Sequence, residues 1–179
     1  MNENNKMRLL YERLILGRKE RVTMSILPIE TIQDKTNQLK TSDKPTGLWY
    51  GFGDNWINFV KNDFPVDDFS KHKYGYKVYV DNSKILSLID DEDLDNFIWR
   101  YQEEIGHSQD GYSSWEQFGK SINWQKVSRN YSGIEMPRYQ ELGWRTLHHK
   151  HKKYLFLYSW DVNSGCVWRP DGILKIKPL

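Results

Sequence analysis

Two carboxylates are candidates for chemistry, one inside a short apolar segment and one at the end of another, where reactive carboxylates are common. Glu135 lies in "YSGIEMPRY", inside a short run that a glycine precedes and Pro137 ends. Asp161 lies in "SWDVNSGCVW", after an apolar run and before an Asn-Ser-Gly turn. A carboxylate beside a reacting centre can stabilise a developing positive charge or move a proton. The alternative for Glu135 is a solvent-facing side chain on one face of a strand. The alternative for Asp161 is an ordinary residue of a hairpin turn.

Three glycines, Gly47, Gly51 and Gly53, surround Trp49 and Tyr50 in "KPTGLWYGFGDNW". Glycine lets backbone amides come close to a phosphate or a flat ring. The stretch lacks the Gly-Lys-Ser/Thr of a phosphate-binding loop and the third glycine of a dinucleotide fingerprint. It indicates either a close approach to a ligand or a tight strand-to-helix connection with aromatic side chains in the core.

A basic segment, "LHHKHKK", offers a weaker candidate site. His148 and His151 could meet on one face of a helix and bind a metal, but the neighbouring lysines would repel a cation. We therefore expect a solvated basic loop that contacts an anionic partner. Cys166 has no base beside it in sequence, which indicates a small buried residue.

The elements that must position these residues follow one another in a mixed order. Periodicity predicts helices over residues 1–20, from Asp54 onward and over 90–105, with further helical pieces in 113–131. Strands are predicted at 48–50, 74–80, 132–136 and 154–160, the last apolar enough to be central, with shorter β segments in 22–32, 81–88 and 166–179. This non-alternating order predicts an α+β fold with a split, mostly antiparallel sheet.

Length and composition limit the classes of protein. The 179 residues suit one domain, residues 44–179, with an N-terminal helical appendage and linker over residues 1–43. The net charge of +2 disfavours a protein that coats nucleic acid, and the single cysteine excludes an internal disulfide. No apolar run is long enough to cross a membrane and the N-terminus lacks the apolar core of a signal peptide, so we expect a cytoplasmic protein.

Four segments, taken in order, resemble the ADP-ribosyltransferase superfamily. "GLWYG" resembles its first strand, "YGYKVYVDNSKILSL" the strand pair that follows, and "INWQKVSRNYSGIEM" the late passage that ends at the acidic position. The closing "WDVNSGCVWRPDGILKI" is similar to the end of small phage-encoded transferases of this type. The resemblance spans about residues 44–177, most of the chain.

The resemblance implies a split antiparallel sheet with NAD in the cleft between its halves. The chain would then be a NAD-dependent mono-ADP-ribosyltransferase that modifies a protein or nucleic-acid target in phage–host or toxin biology. Either Glu135 or Asp161 would stabilise the cation-like ribose, as carboxylates do in glycoside cleavage. The N-terminal helix and residues 148–153 would help to select the target. The expected NAD-binding residues are Lys44, Gly47, Leu48, Trp49, Tyr50, Gly51, Tyr76 and Ser164.

The chain also departs from the family pattern. The family usually carries His or Arg on the first strand, whereas Tyr50 stands in that place here and the nearest cation is Lys44. A Ser-Thr-Ser element is missing as well. These departures leave room for a module of the same fold that binds a nucleotide without turning it over. A protein that stacks nucleic-acid bases on exposed aromatic residues is the second alternative, which the near-neutral charge disfavours.

Overall fold

The computed structural model describes residues 20–63, 71–104, 120–143 and 155–179, and its main element is a seven-stranded sheet. The strand order is β10-β4-β1-β3-β9-β8-β5, and every neighbouring pair is antiparallel except β5 and β8. Strands β2, β7 and β6 form a second, three-stranded antiparallel sheet. The prediction of an α+β fold with a mostly antiparallel sheet is confirmed.

The bounds of the strands are β1 Arg21–Ser25, β2 Thr41–Ser42, β3 Leu48–Phe52, β4 Tyr74–Val80, β5 Ile85–Ser87, β6 Gln102–Glu104, β7 Lys120–Asn123, β8 Gly133–Met136, β9 Ser164–Val167 and β10 Ile173–Pro178. The helices are α1 Asn55–Asp63, α2 Asp91–Tyr101, α3 Trp124–Asn130 and α4 Leu155–Ser159, and a 3₁₀ turn, Pro170–Gly172, precedes β10. No helix in these described ranges is long and apolar enough to cross a membrane.

The large sheet is curled, because strands from its opposite ends are joined by a short turn. β4 is the second strand from one edge and β5 is the other edge, yet only residues 81–84 connect them. The Asp81 amide donates to the Gly172 carbonyl at 2.9 Å, and the Ser132 amide donates to the Lys84 carbonyl at 2.8 Å. The concave face therefore encloses a small apolar cluster drawn from β3, β4, β5 and β9, namely Tyr50, Phe52, Val78, Val80, Ile85 and Val167.

The opposite face of the sheet carries the larger core. Helix α2 covers it with the predicted stripe Leu94, Phe97, Ile98 and Tyr101, and the Asp90 side chain caps the helix by accepting from the Asp93 amide at 2.9 Å. Helices α3 and α4 add buried aromatic residues, including Trp124 and Phe156.

The strand predicted at residues 154–160 is wrong, because α4 occupies Leu155–Ser159. Phe156, Leu157 and Trp160 are buried, and their spacing fits one face of a helix turn. A short apolar run does not by itself distinguish a central strand from a buried helix.

The other predicted helices and strands are partly confirmed. Strands 48–50, 74–80 and 132–136 are confirmed, while residues 120–123, expected to be helical, form β7 beside β2 and β6. The predicted N-terminal helix over residues 1–20 falls almost entirely outside the described residues, as do residues 148–153. β1, which belongs to the expected appendage, lies between β4 and β3 in the large sheet.

Candidate functional site

A row of directly paired residues crosses the concave face of the sheet. Tyr50 on β3 pairs with Gly165 on β9, Gly165 pairs with Glu135 on β8, and Glu135 pairs with Ser87 on β5. Side chains of directly paired residues lie on the same face of a sheet, so three polar side chains point into the curl together. The fourth position is Gly165, so no side chain stands between Tyr50 and Glu135.

The Glu135 carboxylate accepts four hydrogen bonds inside the curl. Its Oε2 accepts from Tyr50 Oη at 2.9 Å and from Arg21 Nε at 3.0 Å. Its Oε1 accepts from Arg21 Nη2 at 3.1 Å and from Ser87 Oγ at 3.2 Å. Since Glu135 is only 6% exposed, the alternative of a solvent-facing glutamate is excluded. Such a set of donors replaces the hydrogen bonds to water that a carboxylate loses on burial.

Arg21 is the cationic partner that the sequence analysis did not identify. Its guanidinium reaches from β1 across β3 and β9, grips both Glu135 oxygens and also donates to the Asn82 side chain at 3.0 Å. It lies over the rings of Tyr50 and Phe52, 5.9 and 5.5 Å from their centres. Burial acts to lower the pKa of Arg21, but the charge and hydrogen bonds of Glu135 raise it above its ordinary value.

Gly165 makes the contact between Tyr50 and Glu135 possible. A Cβ atom at position 165 would lie 2.6 Å from Tyr50 Cζ and Oη and 2.8 Å from Glu135 Cβ. Because Tyr50 is fully buried, its ring has no free space to move into. Burial and the Glu135 charge both raise the pKa of the Tyr50 hydroxyl well above its ordinary value, which keeps it a neutral donor.

A cleft opens where β1 and β3 separate. The two strands pair only at Arg21 with Phe52 and at Val22 with Gly51, so the first residues of β3 have no partner on that side. The cleft has a volume of about 430 Å³ and is bounded by Ser25 and the segment 27–33 on one side and by residues 46–48 on the other. A volume in the range of about 300–1,000 Å³ is typical of small-molecule sites.

Several expected NAD-binding residues contribute to this cleft. Gly47 and Leu48 line the cleft. The Tyr76 hydroxyl accepts a hydrogen bond from the amide of Ile29, a lining residue, at 3.0 Å and so holds the segment 27–33 in place. Leu48 and Tyr50 point to the same face of β3, two residues and therefore about 7 Å apart. Leu48 lines the cleft and Tyr50 belongs to the Glu135 row, so the two features are neighbours along β3, although no side chain of the row lines the cleft.

Other expected site residues lie elsewhere. Trp49 points to the opposite face and packs edge-on against Trp160, with ring centres 4.7 Å apart. Lys44 is exposed, and its Nζ lies 5.6 Å from the centre of the Trp49 ring. Ser164 is buried and pairs with Met136, one position from the Glu135 row and on the other face.

Asp161 does not join the Glu135 row. It is half-buried and follows α4, since the strand that was expected to end there is a helix. The next strand, β9, begins only at Ser164. Of the two carboxylates singled out from the sequence, Glu135 alone lies in the paired row on the concave face.

Two of the glycines have packing reasons for their lack of a side chain. A Cβ at Gly47 would lie 2.4 Å from the Val167 carbonyl oxygen, and a Cβ at Gly51 would lie 2.5 Å from Trp56 Cβ on α1. Gly53 has φ +62°, which glycine adopts without strain, where β3 turns into α1. The strand-to-helix connection therefore accounts for Gly51 and Gly53, while Gly47 also reaches the cleft.

The comparisons with known proteins give no relative: no protein-family model, no curated protein and no solved structure matches the chain. Within the described ranges, no cluster of three or more His, Cys, Asp or Glu side chains is placed to hold a metal ion.

Proposed function

We propose that the chain is a NAD-dependent mono-ADP-ribosyltransferase of the split-sheet type, with NAD in the cleft between β1 and β3 and Glu135 as its essential carboxylate. The observation that carries this proposal is the position of Glu135, which is buried on the same face of the sheet as Leu48, one of the residues that line the cleft. The resemblance to the ADP-ribosyltransferases suggests the reaction. The buried carboxylate of Glu135 and a cleft of suitable volume support it.

Arg21 supports the proposal because it supplies a cation on the first strand of the sheet. The family pattern has His or Arg on its first strand, and "GLWYG", the segment that resembles that strand, carries neither. β1 precedes that segment and its Arg21 lies beside Glu135.

The reaction breaks the bond between C1′ of the ribose and the nicotinamide nitrogen. The electron pair leaves with nicotinamide, a nucleophile on the target bonds to C1′, and its proton passes to a base or to water. The sugar is cation-like at the transition state, so a carboxylate held near it lowers the barrier. Glu135 has both oxygens occupied, and its bond to Ser87, at 3.2 Å, is the longest of the four. We expect a ribose hydroxyl to replace Ser87 as the donor to Oε1.

The four hydrogen bonds of the Glu135 carboxylate favour a second candidate function, a module that binds a nucleotide without cleaving it. A carboxylate that accepts four protein hydrogen bonds is well suited to holding Arg21 and Tyr50 in place and has little spare capacity for a substrate. The two candidates agree on the cleft and differ on whether nicotinamide is released.

The cleft is tested by titrating NAD into the wild-type protein and into two matched variants. Leu48→Arg places a long charged side chain at a residue that lines the cleft, whereas Leu174→Arg makes the same change at a residue that is 70% exposed on β10. We expect NAD binding to wild type and to Leu174→Arg, and at least a tenfold loss for Leu48→Arg. Absence of binding to wild type, or equal binding by all three, would contradict the site.

Turnover is tested by incubating the wild-type protein with NAD labelled in its adenylate part and a cell lysate. Transfer of label to a macromolecule supports the transferase. NAD binding without nicotinamide release or label transfer supports the binding module instead.

A further inference from the structure

The outer face of the β4–β10 pair carries a compact group of lysines around an exposed tyrosine. Lys175 pairs directly with Tyr79, and Lys177 pairs directly with Lys77, so the four side chains form two adjacent rows on one face. This face points away from Val78 and Val80, which are buried in the small cluster. We call these four residues the β10 patch.

The patch is accessible and predominantly basic. Tyr79 is 42% exposed, and Lys175 and Lys177 are exposed. Lys177 Nζ lies 5.6 Å from the centre of the Tyr79 ring, while Lys77 is paired with Glu20 at 2.6 Å. Glu20 is the acidic side chain that the structure pairs with this group, so the patch keeps a net positive charge although the whole chain is only +2.

An explanation from edge protection accounts for only part of this arrangement. β10 is an edge strand, and lysines on edge strands prevent pairing with other chains. That explanation does not require an exposed aromatic ring between the lysines. Exposed aromatic rings that stand beside cations on a sheet surface are the arrangement on which single-stranded nucleic acids stack their bases while lysines contact the phosphates.

We propose that the β10 patch binds single-stranded nucleic acid, with one base stacked against Tyr79 and phosphates contacted by Lys175, Lys177 and Lys77. The spacing agrees with this assignment, because side chains two residues apart on a strand are about 7 Å apart and directly paired residues about 5 Å apart. Lys77 takes part by exchanging Glu20 for a phosphate. The proposal stands independently of the NAD site, which lies in the cleft on the other side of β1.

The test measures the fluorescence anisotropy of a labelled 20-nucleotide single strand as the full chain is added at 50 mM salt. The patch variant is Lys175→Ala/Lys177→Ala, and its matched control is Lys40→Ala/Lys126→Ala, which removes the same charge from two exposed lysines near Glu103. We expect the patch variant to bind at least tenfold more weakly than the control. Tyr79→Ala should weaken binding by about 5- to 140-fold, the equivalent of about 1–3 kcal/mol for one stacked base.

Salt dependence gives a second readout. Three phosphate contacts predict a slope of about −2 for the logarithm of the binding constant against that of salt concentration, which falls to about −0.7 in the patch variant. Circular dichroism would check that each variant is folded. No binding by wild type at 50 mM salt, equal losses for patch and control variants, or equally tight binding of a duplex would overturn the proposal.

Discussion

The substitution Gly165→Ala tests the packing of the site most sharply, because one methyl group would collide with two of its members. The added Cβ would lie 2.6 Å from Tyr50 Cζ and Oη and 2.8 Å from Glu135 Cβ, closer than carbon atoms approach without rearrangement. Tyr50 is 0% exposed and Glu135 is 6% exposed, so neither can move aside into solvent. The methyl group must therefore push the two strands or the two side chains apart.

The expected loss follows from two effects. Overpacking of a buried site costs about 1–3 kcal/mol, and weakening a hydrogen bond to a charged group costs up to about 1.5–3 kcal/mol. Alanine restricts the unfolded chain more than glycine does, which offsets about 0.4–1 kcal/mol of the loss in stability. We expect Gly165→Ala to lower the free energy of unfolding by about 2–4 kcal/mol, and the melting temperature by roughly 5–15 °C for a chain of this size.

The assay is urea denaturation of wild type, Gly165→Ala and the control Gly75→Ala. Gly75 is also a strand glycine, but the three atoms nearest to a Cβ there all belong to the Leu179 side chain, with Cδ1 nearest at 2.8 Å. That exposed side chain can move, so the control should keep wild-type stability within about 0.5 kcal/mol. Equal stability of the two alanine variants would refute the claim that Gly165 is required for the contact of Tyr50 with Glu135.

Further predictions concern the charged pair, the tyrosine and the cysteine. Arg21→Ala should destabilise the protein by about 3–5 kcal/mol in urea denaturation, because it leaves the buried Glu135 carboxylate without its cation; a loss below about 1 kcal/mol would show that solvent reaches the pair. Tyr50 should make stability fall above pH 10.0, its ordinary pKa, because the folded pKa is raised and the unfolded chain ionises first. The difference in stability between wild type and Tyr50→Phe should therefore be constant below pH 10.0 and shift in favour of the variant above it, and a difference that changes only near neutral pH would contradict this. Burial raises the pKa of the Cys166 thiol well above its ordinary value, so iodoacetamide should label it at pH 8 only after unfolding, and fast labelling of the native protein would exclude the buried environment.

The sequence was sufficient for several of the local elements and for two members of the paired row. Helix α2 followed from an acidic first turn and the spacing of Leu94, Phe97, Ile98 and Tyr101, all within eleven residues. Glu135 was identified because a charged residue inside a short apolar strand is unusual. Both inferences depend on near neighbours in the chain.

The rest of the site depends on contacts that no local pattern encodes. Arg21 and Glu135 are 114 residues apart, and only the strand order brings them together. Gly165 resembles an ordinary turn glycine until β9 is placed between Tyr50 and Glu135. Asp161 became a candidate because a strand was expected to end beside it, and that segment is a helix. A short apolar run is compatible with either a buried strand or a buried helix.

The central claim is that Glu135, and not Asp161, acts on NAD, and the rate of nicotinamide release tests it most directly. The comparison uses wild type, Glu135→Gln and Asp161→Asn with NAD and lysate, each checked for NAD binding. The account predicts that Glu135→Gln loses at least about a hundredfold in rate, whereas Asp161→Asn remains within a few-fold of wild type. Undiminished release by Glu135→Gln would contradict it.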